Sequence, residues 1–196
     1  YQKLSHKEKK YAKLGGYLLV SMIPAVIVGL IFEDVIETHL RSNLVIGVSL
    51  IIGGVLLWLA DTYTEGEKAT QDVSWWKILI IGCFQSFALI PGMSRSGSTI
   101  TGARFMGISR ADSASFAFLM GTPIIIAATV SQIPDLLENQ AILGWDVVAA
   151  FLGAVIGTYA TIKLFLEFIK RQTYTVFVVY RLLLGVLLVL ISLYGI

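Results

Sequence analysis

Long apolar runs, separated by short clusters of polar and charged residues, set the rhythm of this chain. Runs near Leu14 to Phe32, Leu44 to Ala60, Ala111 to Ile133, Trp145 to Phe168 and Tyr174 to Tyr194 approach the ~20 residues a helix needs to cross a ~30 Å hydrocarbon core. They predict five full transmembrane helices.

The stretch from Trp75 to Ile108 departs from that rhythm. Its apolar pieces, Ile78 to Ile90 and Ile100 to Ile108, are too short to span, and the second carries Arg104. Between them lies the polar, glycine-punctuated loop Pro91-Gly92-Met93-Ser94-Arg95-Ser96-Gly97-Ser98-Thr99. Short hydrophobic segments broken by Gly and Pro point to re-entrant or broken helices. Bare peptide groups at membrane depth cost several kcal/mol each unless protein buries them or they line a wet cavity. The pattern therefore predicts an all-α polytopic membrane protein with about five full transmembrane helices and one re-entrant helix-loop-helix hairpin over residues 75–108, its site loop at 91–99. A single kinked span, or two short spans with a tight connection, is the alternative.

Composition agrees with a single integral membrane domain over residues 1–196. Hydrophobic residues make up 56% and charged residues 14% of the chain, against about 25% charged in soluble domains. The mean hydropathy is +0.79.

Charge then sets the orientation. With a hairpin that leaves on the side it enters, the lysines of the basic segment 1–13 share one face with Lys68, Lys77, Arg104, Arg110, Lys163, Lys170 and Arg171. The opposite face has Arg41 beside Glu33, Asp34, Glu37, Asp135, Glu138 and Asp146. The positive-inside rule makes the first face cytoplasmic. A six-span scheme scatters these cations across both faces. The lysines before Leu14 suit contact with anionic headgroups of membrane lipids, and no nucleic-acid partner is expected.

Arg95 and Arg181 are left within the membrane, where an ionisable residue is by default a functional hypothesis. Around Arg95, Ser94, Ser96, Ser98 and Thr99 offer hydroxyls, and Gly92 and Gly97 let the backbone turn its amides toward a ligand. Ser96 or Gly97 could start the second half-helix, whose free amides and dipole would face the same point as the guanidinium. The group reads equally as an anion cradle or as ordinary helix caps with an arginine bound to a headgroup or carbonyl. Arg181 reads as a buried ion pair or as a secondary site residue.

Other features are structural. Gly153-x-x-x-Gly157 suits close helix packing within the chain, and a homodimer stays open. Pro24 and Pro123 fall within helices, and Trp75, Trp76 and Trp145 suit interfacial anchors. His6 and His39 fall in expected loops, Glu65 and Glu67 in a solvated one. Cys83 is the single cysteine, and no acidic or histidine spacing suggests a metal site.

The run from Pro91 to Thr99 resembles the P-G-x-S-R-S-x-x-T signature of the bacterial undecaprenyl-diphosphate phosphatases, the bacitracin-resistance family. The approach Ile81-Gly-Cys-Phe-Gln-Ser-Phe-Ala-Leu89, the continuation Met106-Gly-Ile-Ser-Arg-Ala-Asp-Ser-Ala-Ser-Phe-Ala-Phe118 and the pair Tyr180-Arg181 resemble it too, so the likeness covers essentially the whole chain.

That resemblance implies a multi-pass hydrolase of the bacterial inner membrane that converts a C55 polyprenyl diphosphate to the monophosphate carrier used in cell-envelope synthesis, and so confers bacitracin resistance. It further implies two inverted repeats, each with a re-entrant hairpin, a site open to the periplasmic or extracellular face, and a divalent cation, Mg2+ or Ca2+. Arg95 would bind and neutralise the diphosphate, with Ser94, Ser96 and Thr99 as catalytic donors. Gly92, Gly97, Ser98, Gln85 and Arg181 would bind substrate.

The family's second motif, E/Q-x-x-x-E followed by P-x-S-S-x-G-H, is absent from this sequence. The chain is thus expected to be a C-terminal portion, inactive by itself, with the cation held by the upstream segment. A transporter or flippase of an anion or polyprenyl phosphate would use the same broken helices, and is the alternative function. A structural subunit would need neither Arg95 nor the hydroxyls.

Overall fold

A computed structural model describes residues 5–134 and 144–195. Every regular element among them is a helix: α1 (His6–His39), α2 (Asn43–Tyr63), α3 (Trp75–Ser86), α4 (Arg95–Phe105), α5 (Arg110–Ser131), α6 (Trp145–Ile169) and α7 (Thr175–Tyr194). Short 3-10 turns at Thr70–Asp72 and Phe87–Leu89 flank α3. Four helices contain stretches long and apolar enough to cross a membrane: Glu8–Phe32, Asn43–Tyr63, Trp145–Ile169 and Thr175–Tyr194. The protein is an all-helical membrane protein.

α1 runs beyond its apolar stretch at both ends. Ser5 and Glu8 form a capping box, each side chain meeting the other's backbone amide, so the helix starts inside the lysine-rich segment. His6 and His39 consequently belong to the two ends of α1 rather than to loops, a correction to the sequence expectation. Of the acidic residues assigned to the opposite face, Asp135 and Glu138 lie outside the described residues.

The helices pair through glycine. On one side α1 packs on α3, where Gly82 presses against the Ser21 carbonyl and Trp75 lies over Gly16 and meets Tyr17 edge-on at 4.4 Å. The Tyr17 hydroxyl donates to the Val73 carbonyl. On the other side α2 packs on α7. A Cβ on Gly47 would sit 2.9 Å from the Gly185 carbonyl oxygen, and one on Gly185 would sit 2.7 Å from that of Gly47. Only hydrogen at both positions allows this approach. α4 lies between the pairs, against α2, α3 and α5.

The expected role of Gly153 and Gly157 differs. Cβ atoms there would meet nothing within 4 Å among the described residues. Among the described residues α6 packs on its neighbours near its C-terminal end, through Phe165, Leu166, Phe168 and Ile169, and its glycine pair lies on the exposed stretch before them.

α3 and α4 form an antiparallel hairpin whose outer ends lie together. Lys77 Nζ donates to the Met106 carbonyl at 3.2 Å, while Lys68 and the 107–109 segment exchange backbone hydrogen bonds of 3.2 and 3.0 Å. At 11 residues, α4 is ~16 Å long, about half the ~30 Å core.

Asp61, at the end of α2, ties these outer ends to the bundle. Its carboxylate accepts from Arg110 Nε at 2.6 Å and from the Tyr174 amide at 3.1 Å, and lies 3.5 Å from Arg104 Nε. Arg104 also donates to the carbonyls of Thr64, Gly66 and Ile108. It is 3% exposed, so the arginine assigned to the basic face is buried there. Burial and then the Asp61 charge hold the Tyr174 phenol well above its ordinary range. Its hydroxyl therefore stays protonated and donates to the Arg110 carbonyl at 2.9 Å.

Candidate functional site

The tip of the hairpin is shaped by two residues with positive φ. Gly92 has φ +95, and a Cβ there would lie 2.5 Å from the Ile46 carbonyl oxygen, so both conformation and space require glycine. Ser94 follows at φ +66, the one non-glycine with positive φ among the described residues. Such a conformation costs ~1–3 kcal/mol and persists where its surroundings impose it.

What Ser94 gains is the cap of α4. Its Oγ accepts from the Gly97 amide at 3.2 Å, so the helix starts at Arg95, earlier than the expected Ser96 or Gly97. The first-turn amides and the positive end of the dipole open onto the loop. Ser96 Oγ lies 3.5 Å from Ser94 Oγ, which places two hydroxyls at that helix start.

The other candidates sort by direction. Ser98 is buried and donates from Oγ to the Met93 carbonyl at 3.4 Å, within the loop. Thr99 is fully buried, with Oγ1 3.0 Å from the Arg95 carbonyl and 3.3 Å from Gln85 Oε1. One hydroxyl proton serves either acceptor, and through Gln85 it links α4 to α3. Gln85 Nε2 is buried without a hydrogen-bond partner.

The two arginines take opposite sides of the tip. Arg95 reaches α5, donating from Nη1 to the Gly121 carbonyl at 3.2 Å. Its Cζ would lie 2.8 Å from a Cβ on Gly121, so that glycine makes its seat. Arg181, from α7, donates from Nη2 to the carbonyls of Met93 at 2.7 Å and Gly92 at 3.3 Å. It forms no ion pair among the described residues, unlike one of the two expected readings. Its guanidinium lies between α2 and α4: Cβ atoms on Gly53 and Gly97 would come within 2.1 Å and 2.6 Å of its nitrogens. Nε is buried and unpartnered. Ser94, Ser96, Gly97 and Arg181 line a cleft of about 190 Å³ between α4 and α7.

Gly53, Gly121 and the Met93 carbonyl are site features the motif did not reveal. Gly53 and Gly54 form an adjacent pair inside an apolar run, and Gly121 precedes Thr122-Pro123, weak signals that only the positions of the arginines explain.

The donors present suit an anion. Hydroxyls, amides and guanidinium N–H groups surround the tip, and among the described residues Ser94 Oγ meets the Gly97 amide and the Ser96 hydroxyl. Mg2+ and Ca2+ take oxygen ligands, chiefly carboxylates, carbonyls and water. Among the described residues no His, Cys, Asp and Glu side chains cluster to hold a cation. The residues at this tip therefore do not fit the implied metal.

Fold and site together describe an all-helical membrane protein in which the start of α4, with its hydroxyls and amides and with two arginines nearby, lies at the tip of a short helical hairpin. The sequence profile described as bacitracin resistance protein BacA matches residues 1–187, and the chain belongs to that family. An undecaprenyl-diphosphatase of Teredinibacter turnerae is 44% identical over 177 residues, covering 90% of this chain and 67% of the relative. One of Elusimicrobium minutum is 41% identical over 190 residues, covering 97% of this chain and 72% of the relative.

Proposed function

We propose that this protein acts as an undecaprenyl-diphosphate phosphatase, releasing phosphate from a polyprenyl diphosphate in the membrane and leaving the monophosphate carrier. The carrying observation is the tip of the α3–α4 hairpin, where two hydroxyls, the first-turn amides of α4 and two arginines surround one loop. The naming of its relatives supports the substrate.

Phosphoryl transfer is catalysed mainly by positioning and by neutralising charge. In this reading the α4 amides and the Ser94 and Ser96 hydroxyls bind the diphosphate oxygens. Arg181, which lines the same cleft, adds a charged group. Arg95 spends one nitrogen on Gly121 and keeps its other N–H groups for the anion. Thr99 and Gln85 hold the two arms together beneath, with Gln85 Nε2 the unspent donor. Gly92 and Ser98 set the course of the loop.

The finer arrangement belongs to the same proposal. The hairpin is re-entrant from the cytoplasmic side of the bacterial inner membrane, α5 is the fifth full span, and the site opens toward the periplasmic or extracellular face. The short arms and the meeting of their outer ends at Lys68, Lys77 and Met106 support this. A divalent cation assists turnover through ligands other than the described loop residues. The exposed face of α6 leaves room for a second copy or for a further part of an inverted repeat.

The test is phosphate release from a polyprenyl diphosphate by the complete protein in detergent, with Mg2+ or Ca2+ and with EDTA, alongside Arg95→Ala. Release that requires the cation and falls about a hundredfold or more in the variant is expected. Equal rates for the two proteins would refute the site.

A further inference from the structure

The cleft beside the hairpin tip has two chemically distinct ends. Ser94, Ser96, Gly97 and Arg181 form one; Leu57, Ile100, Phe165 and Phe177 wall the other. Phe165 and Phe177 lie 5.0 Å apart, and Phe165 also meets Phe118 edge-on at 5.3 Å. Leu57 is almost fully buried at the cleft's floor. An occupant must place a polar group at the start of α4 and hydrocarbon against the aromatic wall at once.

Resting on the phosphatase reading, we infer that this cleft holds the isoprene units next to the diphosphate, and that Phe165 and Phe177 determine how the enzyme distinguishes prenyl from non-prenyl diphosphates. Its size fits that part of the substrate alone. A dry cavity of ~150 Å³ accepts a benzene ring, so about 190 Å³ takes roughly one or two five-carbon units. The rest of the chain passes outward along α6, which stands away from its neighbours above Phe165 and exposes Val155, Ile156 and Tyr159. A second groove, between α1 and α3, is larger at about 740 Å³ and almost entirely apolar, with Ser86 among its lining. It reaches Ile90 but includes no residue of the 91–99 loop, so a chain seated there would not be continuous with the α4 start.

Steady-state kinetics of the complete protein on farnesyl diphosphate, with inorganic diphosphate as competitive inhibitor, separate tail from head group. Phe177→Ala is expected to raise the KM for farnesyl diphosphate about tenfold, with kcat and the inhibition constant of inorganic diphosphate within about twofold of the parent. Equal weakening of both ligands, or of neither, would overturn the assignment. Photolabelling the unsubstituted protein with a prenyl diphosphate bearing benzophenone on its first isoprene units is independent of the variant's folding. Label in residues 165–180 supports the cleft; label confined to α1 and α3 overturns it. Failure of the unsubstituted protein to hydrolyse any prenyl diphosphate would instead refute the phosphatase reading beneath.

Discussion

Nη2 of Arg181 lies 2.7 Å from the carbonyl oxygen of Met93. A cation from the last helix thus holds the backbone of a loop nearly ninety positions earlier in the chain, with the Gly92 carbonyl as a further acceptor. Hydrogen bonds to charged groups contribute ~1.5–3 kcal/mol, and losing a buried one exposes the full desolvation cost of the orphaned partner. Arg181→Met should therefore lower thermal stability in detergent and reduce phosphate release about a hundredfold. Arg181→Lys, which keeps the charge and loses the planar fork, should fall between. Parental activity in Arg181→Met would remove Arg181 from the site.

Gly53 tests the same contact from the facing helix. A Cβ there would overlap Arg181 Nη2 at 2.1 Å, so Gly53→Ala must displace the guanidinium. A misplacement of ~1 Å can cost ~100-fold in rate. The expected result is a loss of kcat comparable to that of Arg181→Lys. Gly54→Ala, whose Cβ would meet Arg181 Cβ at an ordinary 3.4 Å, should lose far less. Kinetics of the two alanine variants side by side settle whether the overlap matters.

Gly121 makes the parallel case for Arg95. Gly121→Ala places a methyl 2.8 Å from Arg95 Cζ and should reduce kcat/KM about tenfold or more while leaving the melting temperature within a few degrees. A variant that loses stability rather than turnover would show that Gly121 serves helix packing instead.

Asp61 should behave as a structural anchor. Breaking a buried pair by removing one partner costs ~3–5 kcal/mol, because the remaining charge is uncompensated. Asp61→Ala leaves Arg104 in that position, so a large drop in thermal stability is expected. Combining Asp61→Leu with Arg104→Met removes both charges and should recover much of it. No recovery in the double variant would show that Arg104 is held mainly by its carbonyl partners.

The helix pairs separate two kinds of glycine. Gly185→Leu must drive a side chain into the Gly47 carbonyl and Ile51, whereas Gly153→Leu meets open space. Melting curves should show a strong loss for the first and almost none for the second. The opposite order would place a partner on α6.

Hydrophobic runs alone located most helices within a few residues, because a run of apolar side chains in this composition has few other structures open to it. Trp145 to Phe168 became Trp145–Ile169, and Leu44 to Ala60 became Asn43–Tyr63. The N-terminal extension of α1 was written locally in Ser5-x-x-Glu8, but the lysines around it obscured a helix signal that rests on capping rather than burial. The motif marked the loop and the hydroxyls, glycines and arginine it carries. It could not say that Arg95 and Arg181 face opposite helices, since those directions depend on which glycines of α2, α4 and α5 come to lie beneath them. Gly153-x-x-x-Gly157 shows the same limit in reverse: spacing identifies a smooth helix face, not the surface it meets.

The lengths of α3 and α4 bear on how the protein is made. At 12 and 11 residues neither helix can halt in a bilayer by itself, and α4 carries four hydroxyl residues and two arginines between Arg95 and Phe105. Their outer ends are held by Lys77 on the Met106 carbonyl and by Lys68 on the 107–109 backbone, and Arg110, at the head of α5, adds its contact to Asp61. The backbone of the 91–99 loop therefore reaches its described hydrogen bonding only once Arg181, on the last of the described helices, can donate to Gly92 and Met93.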